Sequence, residues 1–365
     1  MEQTEKLTFR QATQWFAMAQ LGSVYLNLPG YLTGIVNQDA WISILLALVI
    51  HFVLVVPLFL AMSKQVRGMR FGDYIETLLG KVCGKAFMFG FSILWPMLGF
   101  TFTLWALSDF LLLTVLPETP SDAVAVLMLF AVICVVRSGV SVIGRTVEIL
   151  FWSLILFFVI GVLTLSPIFH IENLLPVFEH GMKPILHGSI LVTAFPYLDS
   201  FLMMFFARNM EPKKWKKAVF ASSAISGLVL VGTTIYVIAV LSAEVTGNLT
   251  YSAYFLIRTI TLAEFVERFE VLFSTLYYIT IFYRMALFLY VTADGLASAF
   301  RMKDHRPLLL PLSLIALTLQ TFLIPNTTSY QRSYDYTPFY PMIFGLLIPL
   351  ILWIIGRIRR VNRSD

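Results

Sequence analysis

Residues 189–206, SILVTAFPYLDSFLMMFF, are apolar enough to cross a bilayer but carry polar and helix-breaking residues in their middle. Pro196 cannot donate a hydrogen bond to the carbonyl of Val192 and its ring crowds that carbonyl, so a helix through this stretch should kink or open. An aspartate near the centre of a membrane helix, such as Asp199, costs about 2.5 to 3.5 kcal/mol on insertion scales. The stretch therefore predicts either a functional site or a tolerated kink in which Asp199 caps the second half-helix.

The composition of the whole chain is that of a membrane protein. Its 365 residues are 58% hydrophobic and 13% charged, with a mean hydropathy of +0.82, whereas soluble domains are about 25% charged. A bilayer core requires about 20 apolar residues per helix. We therefore predict an all-α polytopic protein with one integral membrane domain over residues 1–365 and ten transmembrane helices in the windows 12–36, 41–62, 84–113, 122–136, 147–165, 185–207, 218–242, 269–299, 308–324 and 337–356.

The lysine and arginine residues alternate from loop to loop along these windows. Most of the 26 basic residues lie at the two termini and in every second loop. Because positively charged loops remain in the cytoplasm, the bias predicts that both termini are cytoplasmic. The net charge of +5 is accounted for by these loops, so it does not indicate a nucleic-acid partner.

The first predicted span contains a second interruption, at Gly22 and Ser23. If the chain consists of two groups of five helices, roughly residues 7–165 and 185–356, then the first and sixth spans occupy corresponding positions. Interrupted helices at corresponding positions are typical of transporters with an inverted repeat and a binding site near the midplane. The alternative is that Gly22 only allows a neighbouring helix to approach closely.

The eighth span places Arg284 near its centre, where no loop can account for a basic residue. A guanidinium at that depth requires an acidic partner, carbonyl oxygens or water, and Asp199 is the nearest acidic candidate by depth. Arg284 could form a structural ion pair, bind a ligand carboxylate or take the place of a cation between helices. Asp109 and Asp294 lie towards the ends of the third and eighth spans, where we expect water or lipid headgroups to reach them.

Motifs for enzyme chemistry are not found in the sequence. It has no paired carboxylate motif, no histidine and cysteine cluster with metal-ligand spacing and no phosphate-binding glycine loop. We therefore expect no catalysis, no cofactor and no bound metal.

Several short motifs resemble those of the spore germinant-receptor B subunits. The similarity runs from about residue 7 to residue 360. The motifs are Leu28-Pro29 in the first span, the segment IENLLPV at 171–177 with Gly181 and Pro184 after it, and the segment FVERFE at 265–270, which is the most specific.

This resemblance implies the fold of the amino acid-polyamine-organocation transporter superfamily, with helices one and six broken around a central site. It implies a subunit in the inner membrane of a bacterial spore that recognises a small nutrient, most often an amino acid, and acts with an A subunit and a lipoprotein C subunit. A secondary amino acid transporter is the alternative function.

Carried over residue by residue, the resemblance also implies a ligand site. Backbone N–H groups beyond Gly22 would receive a ligand carboxylate, and the carbonyls freed near residues 192–195, with Asp199, would receive an ammonium. Because Arg284 supplies a fixed positive charge, no sodium would be required. The implied ligand-binding residues are Gly22, Ser23, Leu94, Leu98, Thr193, Phe195, Pro196, Tyr197, Asp199, Arg284 and Phe288.

Overall fold

The computed structural model describes residues 6–22, 24–66, 68–114, 118–259, 269–324, 326–330 and 338–359. The secondary structure of these residues is helical, and no β-strand occurs among them. The segment 265–268, which opens the most specific family motif, lies outside the described residues.

The described residues of the first half of the chain form nine α-helices. They are α1 (Phe9–Leu21), α2 (Val24–Val36), α3 (Ala40–Ile50), α4 (Val56–Val66), α5 (Phe71–Leu79), α6 (Lys81–Ser92), α7 (Leu98–Thr114), α8 (Ser121–Arg137) and α9 (Val140–Leu165).

The second half adds α10 (Met182–Ala194), a 3₁₀ segment (Tyr197–Asn209), α11 (Pro212–Leu241), α12 (Ala243–Gly247), α13 (Ser252–Arg258), α14 (Phe269–Ala299), α15 (Arg306–Leu323), α16 (Phe339–Met342) and α17 (Ile348–Ile358).

Eight helical segments within the described residues are long and apolar enough to cross a membrane. Neither α1, with 13 residues, nor α8, with 17, reaches that length alone. The first of the eight segments, Val24–Val66, is interrupted at Asn37, whose φ of 58° is left-handed, a conformation that asparagine tolerates better than most residues. The number of ten transmembrane helices therefore stays a prediction.

Three π-helical turns interrupt the helices in the described part of the chain, and each contains or precedes a proline. They span His51–Val55, Ile93–Met97 and Ile343–Leu347, and the prolines are Pro57, Pro96 and Pro349. Proline has no N–H and its ring crowds the carbonyl four residues earlier, so a helix widens locally to accommodate it. Each widened turn changes which side chains face the inside of the bundle.

The centre of the bundle is formed by α1, α14 and the 3₁₀ segment. Helix α1 packs against α9, α11 and α14, and α14 also packs against α6 and α7. By contrast, α8, α9 and α15 carry exposed apolar residues such as Leu127, Ile149 and Phe322, as expected of faces that meet lipid. The two interrupted stretches of the sequence thus meet inside the bundle.

Candidate ligand-binding site

The first interruption lies between α1 and α2. Thr8 caps α1 in a capping box with Gln11. The helix ends at Leu21, and Gly22 still donates its N–H to the carbonyl of Met18 at 2.9 Å. Ser23, which the sequence assigns to the site, lies outside the described residues.

Glycine is required at position 22 by the close approach of α14. A Cβ atom added there would lie 3.1 Å from Cβ of Arg284 and nearer still to its Cδ. Because the backbone at Gly22 leaves room for the arginine side chain, the guanidinium can cross from α14 to α1.

The second interruption separates α10 from the 3₁₀ segment. Phe195 is extended, with φ −140° and ψ 115°, and the buried Pro196 follows it. The hydroxyl of Thr193 donates to the carbonyl of Ser189 at 2.7 Å, so this polar group is already satisfied within its own helix. The chain therefore leaves the α-helix directly before the proline.

Arg284 connects both interruptions. Its Nη1 donates to the carbonyl oxygen of Ala19 at 2.9 Å, at the end of α1. Its Nη2 donates to Oδ2 of Asp199, in the 3₁₀ segment, at 2.5 Å. One side chain of α14 thus holds a backbone acceptor of one broken helix and a carboxylate of the other.

The ion pair is enclosed by aromatic rings. The guanidinium carbon lies 4.7 Å from the ring centroid of Phe195 and 4.8 Å from that of Phe288. Phe288 in turn lies against Gly99 of α7, where an added Cβ would be 2.7 Å from the ring. Exposed fractions of 3% for the Arg284 side chain and 6% for that of Asp199 show that the pair is shielded from solvent. The effective dielectric is low in such surroundings, so the pair interacts more strongly than a surface pair.

Three residues that the sequence assigns to the site form no hydrogen bond or ring contact with the Arg284–Asp199 pair among the described residues. Leu94 is 49% exposed on the surface of the bundle, because the π-helical turn at Ile93–Met97 shifts the helix register. Leu98 is half-buried. The ring of Tyr197 faces away, towards His51 of the second predicted span, with the two centroids 5.1 Å apart.

Three participants are not among the ligand-binding residues that the sequence implies. Trp95 is buried, whereas Leu94, one residue earlier, is exposed, and the indole of Trp95 lies close to Asp199. The hydroxyl of Thr280, one turn before Arg284, donates to the carbonyl of Gly22 at 3.3 Å. The carbonyl of Ala19 is a backbone group, which residue types cannot reveal.

The fold of this helical bundle is similar to that of two solved membrane transporters. The closed conformation of MHP1, a nucleobase-cation-symport-1 family transporter with bromovinylhydantoin bound, matches with a TM-score of 0.72 at 15% identity, over 100% of this chain and 83% of that chain. MhsT in complex with L-phenylalanine matches with a TM-score of 0.64 at 14% identity, over 97% of this chain and 99% of that chain.

The chain belongs to the spore germination protein family, whose profile matches residues 6–330. Spore germination protein KB of Bacillus subtilis (strain 168) is 28% identical over 369 residues, covering 98% of this chain and 96% of the relative. Spore germination protein A2 of the same organism is 26% identical over 360 residues, covering 97% of this chain and 96% of the relative. The resemblance seen in the sequence motifs is thereby confirmed.

Proposed function

We propose that this protein is the nutrient-binding subunit of a spore germination receptor, and that its ligand is an amino acid bound at the Arg284–Asp199 pair. The observation that carries the proposal is the pair itself, buried between the ends of two interrupted helices. Membership of the spore germination family supports the biological role. The likeness to transporters of small nutrients supports a central binding site.

The charges of the pair favour a zwitterion. An α-amino acid carries one carboxylate and one ammonium, so it can enter between Arg284 and Asp199 and give each a partner of opposite sign. The site would remain neutral overall, which matters because an unpaired buried charge is expensive. A ligand with only one of the two groups would leave one side chain of the pair uncompensated.

The backbone around the pair offers further contacts to such a ligand. A carboxylate bound by Arg284 would lie beside the start of α2, where free N–H groups carry partial positive charge. An ammonium bound by Asp199 would lie beside the carbonyls that the extended Phe195 releases from α10. Phe195, Phe288 and Trp95 would then contact the ligand side chain.

The proposed partners are a germinant-receptor A subunit and a lipoprotein C subunit. The proposed location is the inner membrane of the spore, with both termini in the cytoplasm.

On this view a bound ligand breaks the contact between Arg284 and Asp199, and each of the two side chains contacts the ligand instead. The exchange releases the two interrupted helices from each other and thereby shifts the helix positions that the partner subunits sense.

A germination screen tests the proposal. Spores lacking this chain are first compared with wild-type spores over single amino acids, to find the germinant whose response is lost. The lost response is then restored with the wild-type gene or with Arg284→Gln. We expect the variant to fail at every germinant concentration, because glutamine keeps hydrogen-bond donors but has no charge for the carboxylate.

Arg301→Gln is the matched control, since Arg301 is 52% exposed and pairs with Glu76 at the surface. Immunoblots of spore membranes must show equal amounts of both variants. A normal germinant response of the Arg284→Gln spores, with the protein present, would contradict the proposal.

A secondary amino acid transporter is a second candidate, favoured by the fold that the chain shares with MHP1. The two functions are separated by reconstituting the purified chain in vesicles with the germinant found in the screen. Uptake of radiolabelled germinant above that of empty vesicles would indicate transport, whereas saturable binding without uptake would indicate a receptor.

A further inference from the structure

Another acidic group inside the bundle lies near the C-terminal end of α7, away from the Arg284–Asp199 pair. Asp109 is half-buried there. Its Oδ1 accepts a hydrogen bond from the hydroxyl of Thr327 at 2.6 Å, and its Oδ2 accepts one from the hydroxyl of Tyr251 at 2.5 Å. None of the lysine and arginine residues in the described part of the chain forms an ion pair with it. Asp109 therefore differs from Asp199 and Asp294, each of which faces an arginine.

Aromatic rings cover the neighbourhood of this carboxylate. The ring centroid of Phe110 lies 4.7 Å from that of Tyr277, 5.1 Å from that of Tyr251 and 5.5 Å from that of Tyr254. Tyr25 adds a further ring, with its centroid 6.0 Å from that of Tyr277. Electron-rich ring faces around a carboxylate are the surroundings in which proteins bind organic ammonium ions.

Tyr277 provides an independent indication of a ligand. Its side chain is fully buried, yet its hydroxyl has no hydrogen-bond partner among the described residues. Its ring packs against Phe110, the residue after Asp109, with the two centroids 4.7 Å apart. A buried hydroxyl without a partner costs about 1–3 kcal/mol, so on a ring that packs against the neighbour of Asp109 it indicates a position that a ligand can satisfy.

A small apolar cavity of about 60 Å³ adjoins the cluster. Tyr25 and Tyr254 line it together with residues of α9 and α11, such as Phe158 and Tyr236. Because these two tyrosines border both the cavity and the rings around Tyr277, an apolar substituent on a bound ammonium has space beside the site.

We propose that Asp109, Tyr251 and Tyr277 form a second binding site, which takes an organic ammonium group. The Asp109 carboxylate supplies the opposite charge, the rings of Phe110, Tyr251 and Tyr277 supply cation–π contacts, and the Tyr277 hydroxyl offers a further polar contact. The site lies near one end of α14, about 10 Å along the helix axis from Arg284 at 1.5 Å per residue. This distance exceeds the separation of the two charges in an α-amino acid, so the site is distinct from the central pair.

Thermal unfolding of the full-length chain in lipid nanodiscs tests this site with tetramethylammonium chloride as the probe. Sodium chloride at equal ionic strength and tert-butanol, a neutral molecule of similar shape, are the comparison solutes. We expect a saturable rise of the unfolding midpoint with tetramethylammonium only. The apparent affinity should fall about tenfold or more in Asp109→Asn, which removes the charge but keeps a hydrogen-bond acceptor.

Tyr277→Phe keeps the ring and removes the unsatisfied hydroxyl, so it should bind the probe with a smaller loss of affinity than Asp109→Asn. Asp122→Asn, at an acidic residue in the first turn of α8, is the matched control and should respond like the wild type. An equal rise with sodium chloride or tert-butanol, an equal rise in Asp109→Asn, or no rise in the folded wild type would overturn the proposal. No germinant is used, so the result is independent of the function proposed for the Arg284–Asp199 pair.

Discussion

Two buried arginine–aspartate pairs lie on α14, and they differ in the residue that the helix contributes. At its centre α14 supplies the arginine, Arg284, to Asp199. About 15 Å further along the axis it supplies the aspartate, Asp294, whose Oδ1 accepts a hydrogen bond from Arg70 at 2.7 Å. Asp294 is 2% exposed but Arg70 is 21% exposed. Both side chains of the central pair are thus shielded from solvent, whereas the arginine of the second pair is partly exposed.

The two aspartates also differ in the number of cations around them. Nη2 of Arg208 lies 3.8 Å from Oδ1 of Asp294 and forms a second ion pair with it. His305 lies in the loop before α15, and burial lowers the pKa of its imidazole, so it adds no fixed charge there at neutral pH. Among the described residues Asp199 pairs with Arg284 alone. Asp199 therefore has a single ionic contact, which a ligand can replace. Asp294 has two, so it keeps one arginine partner if the other is lost.

The largest expected effect is that of Arg284→Met, which leaves Asp199 buried and without a cation. Removing one partner of a buried pair costs about 3–5 kcal/mol. We therefore expect a fall of that size in the free energy of unfolding, measured by titration with a denaturant in mixed micelles. Arg301→Met, at an exposed pair, should change it little. An unchanged free energy for Arg284→Met would mean that Asp199 does not require its arginine.

Gly22→Ala should disturb the central pair without removing a charge. The added methyl would meet the Arg284 side chain, and overpacking of this kind costs about 1–3 kcal/mol. Gly90→Ala in α6 is the matched control, because a Cβ there meets no atom within 4 Å, and alanine should stabilise that helix slightly. Equal unfolding midpoints for the two variants would contradict the close approach of α14 to α1.

Arg70→Gln should have a smaller effect than either change at the centre. Asp294 loses a charged hydrogen bond but keeps Arg208, so we expect a loss of about 1 kcal/mol in the free energy of unfolding, at the low end of the range for a buried group that loses a partner. The double variant Arg70→Gln and Arg208→Gln should lose more than the sum of the two single losses. Additive losses would show that Arg208 does not compensate for Arg70.

The comparison also shows which parts of the site the sequence can predict. Proline at position 196 and glycine at position 22 both disfavour a continuous helix, and the two interruptions occur at these residues. The pairing of Arg284 with Asp199 was one of the predicted alternatives, because two opposite charges at equal depth in a membrane have few other partners.

Other features depend on information that residue types do not carry. At the π-helical turn of Ile93–Met97 Leu94 is exposed and Trp95 is buried, an arrangement that the ordinary helical period does not reveal. Asp294 was expected at the boundary but is buried, because Arg70 and Arg208 cover it from segments distant in sequence. Asp109 received the same interpretation, and its aromatic surroundings come from α13 and α14, which no local pattern connects to α7.

The smallest expected change in stability separates structure from function at the central pair. The double variant Arg284→Met and Asp199→Leu replaces both charges by apolar side chains, and such replacements of buried pairs are often neutral or stabilising. We expect a free energy of unfolding close to that of the wild type, in contrast to the large loss in Arg284→Met alone. Because neither charge of a zwitterion would then have a partner, spores with this stable protein should not respond to the germinant. A stable double variant that still germinates would show that the pair only holds the helices together and that the ligand binds elsewhere.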